Sequence, residues 1–369
     1  EITVENTFYP YPIRRTKTFP DSICYLDFTP FDTSNMPFEI FEVAPPASAT
    51  TGGKCVLYGS SFGPGMTVTI GGSYSCPVTV LSPMQCEIDV PAISSGDYQG
   101  IEATLPDGRS AYYDTAFYVR PVASLSTTLS IPAAQQAADV PLQYQYRMIS
   151  IPAFYVQGFD HLFENILGPY DPYVWRASRW DGYTGRYIEY DEARAHGQLN
   201  YHPGDAFWVI TWQRASFVPQ GFSLPSSSYH CTIYLNPGWN QVGNPFSETL
   251  AWGSAKVRNP QTGSEYYLSD SRIYDGSIAT QVSLPFEYDG SGGYLISEHL
   301  APGTGYWVKN NSANELTLVL GEGGSNKAYQ LKSRNKSTEI PEAAYNQKFT
   351  PPSPPGSDAA KSGSFSSVK

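Results

Sequence analysis

Charge is scarce in this 369-residue chain: Asp, Glu, Lys and Arg together make up 15 % of it, against about 25 % in an ordinary soluble protein. Basic residues are scarcer still, and the formal net charge of −11 argues against nucleic acid or an anionic membrane surface as partner. No run approaches the roughly 20 apolar residues of a transmembrane helix, so no membrane span is expected. Histidine and cysteine number five each, and no C-x-x-C, H-E-x-x-H or Cys/His cluster has metal-ligand spacing. No metal and no cofactor are expected. What fills the chain instead is a 41 % hydrophobic content that includes 28 Tyr, together with 32 Gly and 31 Pro. Gly and Pro at that density limit long helices, while Tyr and Thr favour strands, so the expected class is mainly all-β.

The chain opens Glu1-Ile2-Thr3-Val4, which fits a processed N-terminus from which a signal peptide has been removed; secretion is the expectation. Five cysteines (24, 55, 76, 86, 231) fit the same compartment but leave connectivity open. Cys76 and Cys86 stand ten positions apart across an expected hairpin and make the best pair. Cys24–Cys55 follows only by elimination.

Residues 1–43 read as an extended arm. Ile2 and Val4 alternate with polar residues before Phe8-Tyr9-Pro10-Tyr11-Pro12 breaks the pattern, since proline confines such a segment to an edge or a docking role. Arg14, Arg15 and Lys17 form a basic island. These side chains mark a candidate assembly arm, with a solvated arm as the plainer reading.

Residues 44–120 carry β-prone runs at 54–58, 67–70, 77–81, 86–90, 100–105 and 115–119, separated by turn signals such as Gly71-Gly72 and Asp107-Gly108. That spacing suggests a small β-sandwich. The order Pro45-Pro46, Thr51-Gly52-Gly53, Tyr58-Gly59-Ser60-Ser61-Phe62-Gly63 and Val68-Thr69-Ile70-Gly71-Gly72 resembles the IPT/TIG family of immunoglobulin-like domains. Cys86-Glu87-Ile88-Asp89-Val90-Pro91, Pro106-Asp107-Gly108 and Ala116-Phe117-Tyr118-Val119 match that family's closing strands, and Cys76 and Cys86 resemble its common disulfide. The resemblance covers about a fifth of the chain. It implies a spacer or interaction module rather than an enzyme.

Residues 121–142, rich in Ala, Ser, Pro and Gln, suit a semi-extended linker. Residues 143–322 contain an internal duplication, with copies at 143–230 and 231–322. Tyr146-Arg147-Met148-Ile149-Ser150-Ile151-Pro152 aligns with Trp239-Asn240-Gln241-Val242-Gly243-Asn244-Pro245. Trp180-Asp181-Gly182 aligns with Tyr288-Asp289-Gly290, and Pro203-Gly204 through Trp208-Val209 aligns with Pro302-Gly303 through Trp307-Val308. Asp-Gly between aromatic strands predicts a hairpin turn in each copy. In the first, Phe159, Leu162, Phe163, Ile166 and Leu167 predict a short helix stopped by Gly168-Pro169. The double unit resembles β-domains with Gly-Trp-Asn…Pro and Pro-Gly…Tyr-Trp-Val signatures in secreted bacterial surface proteins. Residues 323–369 form a tail, and Pro, Ser and Gly supply most of 351–369, too little to build a core.

Chemistry was sought at four further places. Gly59-Ser60-Ser61-Phe62-Gly63 matches the G-x-S-x-G pattern, but a strand rather than a helix is expected to follow, so Ser61 is not presented as a nucleophile. His230 and Cys231 are neighbours on a strand and point to opposite faces. Asp181, Asp191 and Glu192, or Glu265, Asp270 and Asp275, lack the spacing of a calcium loop. Trp175, Trp180, Tyr183 and Tyr187 (with Tyr190 and Tyr201 nearby) could offer flat faces to a pyranose, or could equally build a core. The expected protein is therefore a non-enzymatic secreted surface subunit of a bacterial fibre, sheath or layer, self-assembling through its terminal segments. The alternative is an adhesin or glycan-binding module using those aromatics.

Overall fold

A computed structural model describes residues 2–5, 14–17, 37–114, 116–135, 144–182, 184–195, 201–259, 263–268, 281–321 and 328–329. The described protein is nearly all β, in mainly antiparallel sheets, with parallel pairing only of Ala47–Ala49 with Phe117–Arg120 and of His230–Leu235 with Ala328–Tyr329 among the described residues. Two strands of the arm, β1 (Ile2–Glu5) and β2 (Arg14–Lys17), pair as an antiparallel hairpin, with Ile2 opposite Lys17. Phe8, Tyr9, Tyr11 and Cys24 lie outside the described residues, as does nearly all of the tail.

The first globular unit runs through β3 (Glu39–Ala44), β4 (Ala47–Ala49), β5 (Gly53–Ser60), β6 (Thr67–Ile70), β7 (Tyr74–Cys76), β8 (Val78–Ser82), β9 (Gln85–Val90), β10 (Gly96–Tyr98), β11 (Ile101–Thr104), β12 (Ser110–Tyr113) and β13 (Phe117–Arg120). Sheet β3-β5-β9-β8 and sheet β12-β11-β6-β7 enclose one core, and β10-β13-β4 closes one side. Period-two alternation builds it: Cys55 and Leu57 on β5, Cys86, Ile88 and Val90 on β9, and Ile101 and Ala103 on β11 all point inward. Gly71 and Gly72 turn β6 into β7 with φ of 57° and 67°, a region open to glycine. β3 falls within the stretch assigned from sequence to the arm. It is the sandwich's edge strand, and its period is masked by Glu42, which is buried because it meets His202.

The cysteine expectation also needs correcting. The hairpin around Cys86 is β8–β9, with Val80 opposite it, while Cys76 ends β7 of the other sheet, opposite Val68. The chain switches sheets at Pro77, between the end of β7 and the start of β8. Cys55, Cys76 and Cys86 are free buried thiols, so neither the Cys76–Cys86 bridge nor one involving Cys55 is made.

The described part of the segment read as a linker, residues 121–135, is docked rather than extended in solvent. Its strands β14 (Ala123–Ser124) and β15 (Leu129–Ile131) join copy 1, and Leu125, Leu129 and Ile131 enter its core. Copy 1 continues with β16 (Arg147–Ser150), β17 (Tyr155–Val156), α1 (Leu162–Leu167), β18 (Trp175–Asp181), β19 (Arg186–Glu189), α2 (Tyr190–Ala195), β20 (Ala206–Thr211), β21 (Ala215–Phe217) and β22 (Gln220–Phe222). The helix α1 stops at Gly168 as the sequence predicts, with φ at 86°. Copy 2 contains β23 (His230–Leu235), β24 (Gly238–Gly243), β25 (Leu250–Ala251), β26 (Lys256–Arg258), β27 (Glu265–Tyr267), β28 (Phe286–Tyr288), β29 (Tyr294–Ile296), β30 (His299–Leu300), β31 (Gly305–Asn310), β32 (Leu316–Leu320) and β33 (Ala328–Tyr329).

The central sheets of the two copies have the same plan: β16-β20-β18-β19 in one and β24-β31-β28-β29 in the other. Register agrees as well. Ser150 faces Ala206 where Gly243 faces Gly305, Ser178 faces Trp208 where Phe286 faces Trp307, and Trp180 faces Tyr187 where Tyr288 faces Tyr294. Pro152 and Pro245, Gly182 and Gly290, and Trp208 and Trp307 therefore occupy matching places. A second core, running from Ala47, Ala49 and Tyr118 through Phe154 to Leu318, joins sandwich and both copies. At that junction Arg120 bonds Asp97 at 2.5 Å and the Tyr229 hydroxyl at 3.1 Å.

Candidate functional site: the rim between the two copies

The two copies pack face to face by exchanging aromatic side chains. Trp180 meets Trp307 edge-on at 5.4 Å, and its counterpart Tyr288 meets Trp208 edge-on at 4.9 Å. Within the copies, Trp180–Tyr187 repeats as Tyr288–Tyr294, and Tyr146–Trp208 repeats as Trp239–Trp307. Six matched contacts of this kind describe a local two-fold arrangement. Trp208 and Trp307 at its centre are both 0 % exposed. Each edge-on contact adds about 0.5–1.5 kcal/mol beyond the area it buries. The Trp307 indole N–H also donates to the Tyr294 hydroxyl at 3.2 Å.

This arrangement decides the fate of the aromatics singled out from sequence. Trp175 and Trp180 are five positions apart on β18 and so face opposite sides of the sheet. Trp175 fills the core of copy 1 with Phe163 and Tyr190, and its indole donates to the Gly168 carbonyl. Trp180 and Tyr187 point the other way, into the contact with copy 2. Burial drives the Tyr187 hydroxyl well above its ordinary pKa. Tyr190 and Tyr201 are core residues, and Tyr183 lies outside the described residues. No shared sugar-stacking face forms from the described members of this set, because strand parity sends them to two different cores.

Copy 2 leaves a partly exposed aromatic face on its matching side. On the side of β24-β31-β28-β29 that meets copy 1, Trp239, Lys309, Phe286 and Ile296 form the outer rim. Trp239 touches Phe286 edge-on at 5.6 Å, and the Lys309 ammonium sits 5.7 Å above the Trp239 ring. Trp239 and Phe286 are half-buried and Ile296 is exposed. The matching positions in copy 1 are Tyr146, Ile210, Ser178 and Glu189, and all four are buried. Ala134 joins the cluster that contains Tyr146 and Ile210, and its N–H donates to the Thr211 carbonyl at 2.7 Å. Glu189 is tied down by Arg176 at 2.7 Å, beside α2. Burial pushes the Glu189 carboxyl up to about 7, against the pull of Arg176. Among the described residues, one rim of the pair is thus buried and the other partly exposed. Sequence reasoning missed Trp239 because it entered only as a duplication landmark, and nothing local marks which copy has the buried rim.

Other candidate groups are committed elsewhere. Burial pushes the Cys76 thiol up to about 11 and Cys86 up to about 12, and raises Cys55 and Cys231 further, so these thiols stay protonated and unreactive. Ser61 follows β5 with φ at 60°, and a turn then leads into strand β6, not into a helix. Asp181 accepts from Thr184, Glu192 pairs with Arg186, and Glu265 pairs with Lys256 and Arg258. Among the described residues no group of three or more His, Cys, Asp or Glu is arranged to hold a metal ion. His202 sits between two acids, 2.6 Å from Glu42 on the sandwich and 3.4 Å from Asp205, all three buried. That cluster joins the sandwich to copy 1. No helix among the described residues is long and apolar enough to cross a membrane.

No protein-family model and no curated protein matches the chain. Among solved structures, it is similar to a mixed-linkage glucan utilization locus protein, SGBP-B of Bacteroides ovatus, solved with a mixed-linkage heptasaccharide: 10 % identity over 50 % of this chain and 52 % of that one, TM-score 0.25. An auxiliary nutrient binding protein of Bacteroides thetaiotaomicron is 14 % identical over 64 % of this chain and 60 % of its own, TM-score 0.20. A Gamma-CGTase of alkalophilic Bacillus clarkii is 16 % identical over 51 % and 21 %, TM-score 0.21. The chain spans between a fifth and three-fifths of these proteins' lengths, and at such TM-scores the likenesses assign neither fold nor function.

Proposed function

We propose that this is an extracellular, non-catalytic recognition protein whose copy 2 binds a glycan on its partly exposed rim. The observation that carries the reading is the asymmetry of the duplicated pair. Equivalent positions are buried in copy 1 and left as a half-exposed Trp239–Phe286 face with a cation above it in copy 2. Flat aromatic surface suits the apolar face of a pyranose, and the Lys309 ammonium suits its hydroxyls. The sandwich, read as an IPT/TIG-type spacer, holds this unit at a fixed orientation through the shared core.

Native affinity electrophoresis through gels containing mixed-linkage β-glucan, starch or mannan tests the reading. The full chain is expected to be retarded by at least one polysaccharide, with retardation lost in Trp239→Ala and reduced in Lys309→Ala. Unchanged mobility in all of them, or undiminished retardation of Trp239→Ala, contradicts it.

The expectation of a structural subunit has its own supporting observation, a bare sheet edge next to this rim.

A further inference from the structure

β29 is the outermost strand of β24-β31-β28-β29, and it exposes what an edge normally hides. Leu295 and Ile296 are each 62 % exposed, and Leu284 close by is 45 % exposed. Their counterparts Ile188 and Glu189 in copy 1 are buried at 3 % and 5 %, with α2 packed against that edge. The ladder between β28 and β29 places backbone bonds at Asp289–Gly293 and Ser297–Pro285, hence at Glu287–Leu295 between them. Alternation then turns the N–H and C=O of Ile296 toward the open side. β29 carries no lysine, proline or bulge to discourage pairing.

We propose that β29 accepts the N-terminal hairpin β1–β2 of a second copy of this chain by strand addition. Three observations choose this occupant. The β1–β2 sheet has only two strands, short of the three or more that a sheet needs for independent stability. β2 reads Arg14-Arg15-Thr16-Lys17, three positive charges in a chain of net −11, and β29 is flanked by Glu287 opposite Leu295 and by Glu298 beyond Ile296. β1 supplies Ile2 and Val4 to an edge whose exposed side chains are aliphatic. The arm is rooted at β3, which packs on β5 and β12 of the sandwich. About twenty residues separate β2 from β3, a length of chain that spans at most about 70 Å, so the separation permits a crossing to a neighbouring molecule. Arm on one molecule and edge on the next form a heterologous contact, which repeats into a chain of molecules or closes into a ring. The contact uses the backbone edge of β29, whereas the glycan reading rests on the Trp239–Phe286 face, with Ile296 at the border between them.

A complementation experiment tests it. Sedimentation of the full chain is expected to show concentration-dependent assembly. A variant lacking residues 1–20 keeps the acceptor edge, and Ile296→Lys keeps the donor arm; each alone is expected to stay monomeric with unchanged circular dichroism. Mixed together they are expected to form a one-to-one complex, which raised salt weakens. Trp239→Ala is expected to assemble as the full chain does. A monomeric full chain overturns the proposal, as does undiminished assembly by either variant alone. Failure of the mixture to form the complex, as when the arm docks on its own molecule, overturns it too.

Discussion

Replacing Trp307 with alanine removes the centre of the contact between the copies, and its cost can be worked out from the structure. The side chain is 0 % exposed, touches Trp180, Tyr187 and Trp239 at 5.4, 6.5 and 6.2 Å, and donates to Tyr294. A buried Trp→Ala change costs about 3–5 kcal/mol in transfer and cavity terms. Trp208→Ala, its counterpart, loses the contacts to Tyr288 and Tyr146 and falls in the same range. The two residues belong to one cluster, so the double variant should cost less than the sum of the singles, with a coupling of about 0.5–3 kcal/mol. Urea unfolding followed by circular dichroism and tryptophan fluorescence measures all three, provided the two probes coincide. Single effects under about 1 kcal/mol, or strict additivity, would show that the copies do not stabilise each other through this face.

Three further outcomes follow from buried charged and thiol groups. Glu189 has its carboxyl raised to about 7 from an ordinary 4.5, so its contribution to stability is full below about 4.5 and is lost as pH rises through about 7. That amounts to about 3 kcal/mol, which Glu189→Gln should remove from the pH profile; equal slopes for both proteins between pH 4.5 and 7.5 would refute it. His202→Ala leaves Glu42 and Asp205 buried without the imidazole between them and should destabilise by about 3–5 kcal/mol in urea unfolding, whereas a neutral change would place no weight on that junction. Cys76 and Cys86 should be recovered as thiols in peptide maps made without reductant and should react with a thiol reagent only as fast as the chain unfolds; a recovered Cys76–Cys86 disulfide would overturn the assignment of free thiols.

Much of the architecture was legible because it is written locally. Gly71-Gly72 and Asp107-Gly108 punctuate the sandwich, alternation marks β5, β9 and β11, and the paired landmarks Pro152/Pro245 and Trp208/Trp307 carry the register of the duplicated sheets. What escaped depends on the far side of a contact. Leu125, Leu129 and Ile131 read as linker because the strands that receive them come some ninety residues later. Residues 39–43 read as arm because Glu42, on β3, meets a partner, His202, that belongs to another unit. Cys76 and Cys86 read as one hairpin because sequence does not show that β7 and β8 belong to opposite sheets. The aromatics of copy 1 suggested a platform, yet whether a Trp is rim or core turns on what packs against it. Ala134 joins the cluster around Tyr146 in copy 1, whereas Trp239 in copy 2 stays half-buried.

The partly exposed rim of copy 2 as the ligand surface is tested most directly by a crystal structure of the full chain with an oligosaccharide of whichever polysaccharide retards it. The expected result is a pyranose ring stacked on Trp239, bordered by Phe286 and within hydrogen-bond reach of Lys309. A sugar bound elsewhere on the molecule, with Trp239 and Phe286 untouched, would contradict the account.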